Sequence, residues 1–244
     1  MIQLYTTFLF QPLLNLLVIF YNAIGDIGVA IILLTVVIKL ILYPFSRQAL
    51  RSQRAMQRLQ PKINELKARY KNEKEKMAQE MMQLYKNEKV HPLSSCLPLL
   101  VQLPFFLAVY QVFIRGLDSS RLELLYPFVA NPGSLNTISL GLLNLHEPSW
   151  ILAALAGAAQ YWQASMLVTQ RPPKSLPGAK DEDMAAIMNK QMKYLMPAVT
   201  VFIGLQLPAG LALYWFVMTL LTALQQLITF RADDAKNQKV QPQA

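Results

Sequence analysis

Lys39 stands alone in the apolar run "TVVIKLILYPF" (35–45), with Thr35 four residues before it. At that spacing the two side chains share one helix face. Other uncharged polar groups sit in similarly apolar surroundings: Gln102, Gln111, Gln160, Gln163 and Gln225, with Tyr214 and Trp215 just after "LPAG". An ammonium ringed by carboxamides can attract a carboxylate and trade hydrogen bonds with a polar chain, but it cannot cleave a bond. The apolar runs hold no Asp or Glu, no Ser/His pairing and no HExxH. The single cysteine, Cys96, rules out an intrachain disulfide, and His91 and His146 have no ligand-spaced partner. The chemistry on offer is recognition, with no metal site and no catalytic set.

An unpaired charge in a dry core costs several kcal/mol or loses its proton. Measured along a straight helix, Lys39 lies about 12 Å inside Arg47, beyond the roughly 6 Å reach of a snorkelling stem. A charge so placed marks a functional site by default, and a water-filled cavity open to the cytoplasm is the economical expectation.

The elements that must position these groups follow from composition. Hydrophobic residues make up 54% of the 244 and charged ones 15%, which reads as an all-α integral membrane protein. A span needs about 20 apolar residues. Candidates are 28–45, 96–114, 150–169 and the run 194–230, whose Pro208 and Gly210 predict a turn that splits it into 194–207 and 208–230. That makes five spans. Residues 1–25 lack the basic region and cleavage site of a secretory signal and are expected to stay in the mature protein. Gln11, Pro12 and Asn15 interrupt them, so a helix lying in the outer interface is expected.

Basic residues orient the bundle. Segment 46–90 carries 12 basic and 5 acidic residues, the loop 116–149 one and three, the loop 170–193 five and three, and the tail 231–244 three and two. A multi-pass plasma-membrane protein with its N-terminus outside and C-terminus cytoplasmic satisfies that alternation. Segment 46–90 reads as a cytoplasmic helical hairpin. Leu50, Met56, Leu59, Ile63 and Leu66 recur at helical spacing in one arm, Met77, Met81 and Leu84 in the other. Pro61 is expected to kink the first arm or mark a break in it, and the tail 232–244 is expected to be disordered. The net charge of +9 suits anionic lipids and a ribosome; no direct nucleic-acid specificity is expected.

"HPLSSCLPLLVQLPFFLAVYQVF" (91–113) and "MNKQMKYLMPAVTVFIGLQLPAGLALYWFV" (188–217) resemble the two signatures of the YidC membrane protein insertases, and "GVAIILLTVVIKLILYPF" resembles their first core span. The resemblance covers about Gly25 to Arg231. It implies an insertase and membrane chaperone, not an enzyme, without a cofactor, whose groove opens to the cytoplasm and inner leaflet. Nascent membrane proteins are the implied partners, with ribosome and Sec translocon as further candidates. Lys39 occupies the position of the family's groove arginine, so the charge is kept and the bidentate fork is lost. The implied groove comprises Lys39, Thr35, Gln102, Gln160, Gln163, Tyr214 and Trp215, with Phe106 on a hydrophobic slide. A channel or small-solute transporter using the same polar cavity stays open as the second reading.

Overall fold

The computed structural model describes residues 2–88, 90, 97–115, 124–167 and 190–240. His91, Cys96, the start of the outer loop and most of loop 170–193 lie outside the described residues. The all-α expectation holds. The elements are α1 (Ile2–Tyr5), α2 (Gln11–Ile24), α3 (Ile27–Ile41), α4 (Tyr43–Arg69), α5 (Lys74–Asn87), α6 (Leu97–Arg115), α7 (Trp150–Leu167), α8 (Met196–Gly204) and α9 (Ala209–Val240). Single π-helical turns, Thr6–Phe10 and Gln191–Leu195, lead into α2 and α8. The only strands among the described residues form a hairpin, β1 (Ile138–Ser139) with β2 (Leu143–Asn144).

One core joins α2, α3, α6 and α9. Leu14 and Leu17 of α2, Ile31 and Ile38 of α3, Val109 of α6 and Leu211 of α9 are buried together. On the other side, α7 packs against both α8 and α9. Small residues permit this: a Cβ on Gly157 would run into Val201, and one on Gly204 would lie 3.0 Å from the Cβ of Ala153. Lipid supplies no hydrophobic drive between helices, so close backbone approach of this kind does the packing.

Polar caps fix the end of the bundle where α3 and α9 begin. Gly25, at φ +79°, ends α2 in the left-handed conformation. Asp26 then caps α3, its carboxylate accepting from the Val29 amide at 3.0 Å. The same carboxylate accepts from the Ser139 hydroxyl at 2.8 Å and the Leu140 amide at 2.6 Å, so one residue starts a helix and pins the β-hairpin. The first amides of α9 are capped by the loop as well: Ala209 donates to the Glu147 carbonyl and Gly210 to that of Leu145, each at 2.9 Å.

Two sequence expectations need correction. The span predicted at 28–45 breaks: α3 ends at Ile41 and α4 leaves at 66°. Pro44, in the first turn of α4, lacks an amide and its ring crowds the carbonyl four residues back. Lys39 therefore lies in the last turn of α3, where the helix dipole favours a cation, and its depth cannot be counted along a straight helix to Arg47. Pro61, expected to kink the first hairpin arm or mark a break in it, does not break it: α4 runs on to Arg69. The tail, expected to be disordered over 232–244, continues α9 to Val240; "RADDAKNQKV" has no Gly or Pro to stop a helix.

Among the described residues, length and apolarity alone qualify two helical stretches to cross a bilayer, Thr6–Ile24 and Ala209–Asp233, with the bent pair α3–α4 a third if taken as one span. The hairpin arms α4 and α5 meet through a small core of their own, Leu59 and Ile63 against Met81, Leu84 and Tyr85.

Candidate functional site

A cavity of about 510 Å³ lies between α3, α4, α6, α7 and α9. Its polar side is built from one to three residues per helix. Lys39 comes from α3, Ser46 and Gln53 from α4, Gln102 from α6, Gln160 and Gln163 from α7, and Tyr214, Thr219 and Thr222 from α9. Its apolar side is made by Val101, Leu103 and Phe106 of α6 with Trp215 and Met218 of α9. Phe106 and Trp215 meet edge to face, ring centroids 5.8 Å apart. Phe45 and Leu103, both about half exposed, line the cavity where it meets the surface between α4 and α6.

Lys39 is 8% exposed. Its Nζ donates to Thr222 Oγ1 at 2.8 Å, and the Thr222 hydroxyl donates onward to the Met218 carbonyl at 2.7 Å. An ammonium has three donors, and one is used. Among the described residues no carboxylate pairs with it, and Lys39 lines the cavity. Gln102 donates to the Tyr214 hydroxyl at 2.6 Å. This bond bridges α6 and α9 toward the capped end, beyond which Val109, Val112 and Leu211 are packed without exposure. Gln160 accepts from Thr200 of α8 at 2.7 Å.

Of the residues singled out from the sequence, Lys39, Gln102, Gln160, Gln163, Tyr214, Trp215 and Phe106 come to this one cavity. Thr35 does not. It is fully buried, and its hydroxyl donates to the Ile31 carbonyl of its own helix at 2.7 Å; one helical turn of separation takes it off the cavity. Gln111 lies off the cavity on α6. Gln225 lies beside it, accepting from Ser46 at 2.9 Å and donating to the Tyr43 carbonyl at 3.4 Å, which ties α9 to the bend. Sequence reading missed Thr219 and Thr222. Their signal was present: Thr219, Thr222, Gln226 and Thr229 recur at helical spacing in an otherwise apolar run.

This architecture has relatives. The 60Kd inner membrane protein family matches residues 19–237. The chain belongs to the 60Kd inner membrane protein family. It is a multi-pass inner membrane protein. Members similar to it include the membrane protein insertase YidC of Oleidesulfovibrio alaskensis, 36% identical over 220 residues that cover 90% of this chain and 38% of that protein. The YidC of Tolumonas auensis is 34% identical over 232 residues, covering 95% and 38%. Among solved structures, an active YidC insertase with its first transmembrane domain resolved superposes with a TM-score of 0.61 at 26% identity, covering 93% of this chain and 46% of that one. The chain thus spans less than half the length of these members of the 60Kd family.

Proposed function

We propose that the chain is a membrane protein insertase and chaperone, moving hydrophobic segments of newly made proteins from the cytoplasm into the bilayer. The observation that carries this is the two-sided cavity, with an ammonium that no carboxylate pairs with among the described residues on one wall and the Phe106–Trp215 pair on the other. Moving a polar segment through lipid strips water from every unpaired group. A cavity reaching part-way shortens the dry path. Polar and acidic parts of the incoming chain dwell near Lys39, Gln102 and Thr222, while its apolar segment passes Phe106 and Leu103 into lipid. The stretch Gln191–Gly204, about 20 Å long, falls short of the roughly 30 Å hydrocarbon core and thins the bilayer beside the cavity.

In this reading α3, α6, α7, α8 and α9 are the five membrane-embedded elements, α4 and α5 face the cytoplasm, and the capped end with its loop lies outside. Helix α2 lies in the outer interface although Thr6–Ile24 is long enough to cross. Its support is the loop bound along its flank: Gln11 and Asn15 donate to the Leu124 carbonyl, Asn15 accepts from the Tyr126 amide, and Asn22 donates to the Ala130 carbonyl. A spanning α2 would carry that loop into the hydrocarbon. The basic hairpin suits anionic lipid and a ribosome, and a Sec translocon is a further partner.

The test is reconstitution in liposomes with a short single-span substrate bearing an acidic translocated segment. Insertion should occur, and Lys39→Ala should slow it more than for a substrate without acidic residues. Solute flux without insertion would instead favour the transporter reading.

A further inference from the structure

We infer that the tip of the β1–β2 hairpin is a lipid-binding element that enters the interface of the leaflet at the capped end of the bundle. The tip is unusual in what it exposes. Leu142 is 90% exposed, Leu140 74% and Ile138 49%. Tight hairpin turns of this kind favour Asn or Gly at positions of positive φ, yet Leu140 adopts φ +52° beside Gly141 at +69°. A left-handed leucine costs about 1 kcal/mol. A strained backbone that presents an apolar side chain outward points to an apolar partner.

The hairpin is also held rigidly where a bilayer surface would be. The Asp26 carboxylate binds Ser139 and Leu140 at the first turn of α3, and Gly28 lets β1 press on that helix, since a Cβ there would run into the Ser139 hydroxyl. Trp150, the first residue of α7, is 71% exposed at the same end and is a residue type that favours the headgroup level. From Leu124 to His146 the loop carries no charged residue, so nothing opposes entry of the tip. Three side chains fall well short of the roughly 800 Å² per partner that a stable protein interface buries, which favours lipid over a second copy.

The experiment uses the full chain with Cys96→Ser and Leu142→Cys, labelled with an environment-sensitive fluorophore, in vesicles of phosphatidylethanolamine and phosphatidylglycerol. The label should be quenched more strongly by shallow nitroxide lipids than by aqueous iodide, the reverse of a label at Lys74→Cys on α5. Adding Leu140→Asp should move the quenching at position 142 from lipid toward iodide while the α5 label is unchanged. Iodide quenching at 142 equal to that at 74 would overturn the inference. So would shielding that grows with protein density in the vesicle, which would assign the tip to a second copy.

Discussion

Asp26 is the joint on which the capped end turns, and Asp26→Ala is the perturbation that tests it. Three interactions vanish together. Loss of the α3 cap costs about 1 kcal/mol. The bonds to Ser139 and Leu140 are charge-assisted but partly exposed, so each is worth about 1 kcal/mol, below the range for buried charged pairs. The sum is roughly 2–4 kcal/mol of local stability, or about 30- to 1,000-fold in the opening equilibrium of the hairpin. Hydrogen exchange reads this directly at the Leu140 and Val29 amides, which should lose protection by that factor while amides in the middle of α7 keep theirs. Unchanged exchange at Leu140 would refute the reasoning. Acid should imitate the mutation. Burial alone would raise the Asp26 pKa, but the bonds from Leu140, Val29, Ser139 and Gly28 outweigh it and hold the carboxyl below its usual range. A folded pKa below the unfolded one means the stabilisation is complete above the unfolded value of about 4 and is lost as pH falls through the lower folded value. The hairpin should stay protected at pH 5 and lose protection as pH falls below the unfolded value.

Further outcomes follow from single contacts. Gly157→Ala should cost about 1–3 kcal/mol by pushing α8 off α7, seen as a lower unfolding midpoint in mild detergent. Gln102→Leu leaves the buried Tyr214 hydroxyl without its partner and should cost about 1–3 kcal/mol; adding Tyr214→Phe should cost less than the two changes summed, measured in a double-mutant cycle. Ile63→Ala empties the small core of the α4–α5 hairpin and should cost at least about 2 kcal/mol there, seen as faster proteolysis of that hairpin with the bundle intact.

Much of this molecule was legible because membrane chains punctuate themselves. Pro208 and Gly210 announced the turn between α8 and α9, and the unpaired Lys39 pointed to a polar cavity before any fold was known. What stayed hidden was local or cooperative. Pro44 bends the chain by 66°, yet in sequence it looks like an ordinary boundary proline. Thr35 shares a face with Lys39 in principle, but it is fully buried while Lys39, one turn on, reaches the cavity. Thr222 earned no attention because threonines back-bond to their own helix so often; its partner across the bundle is visible only in three dimensions. Gln11 and Asn15 read as flaws in an apolar helix, and they are the anchors of the loop at 124–126.

The central claim is that water reaches Lys39 from the hairpin side and stops there. Lys39→Cys in a Cys96→Ser background, challenged with a membrane-impermeant maleimide in sealed vesicles of each orientation, tests it most directly. Labelling should occur only when the α4–α5 hairpin faces the reagent, and Thr35→Cys should stay unlabelled in both. Labelling of position 39 from the capped end, or from neither side, would contradict the account.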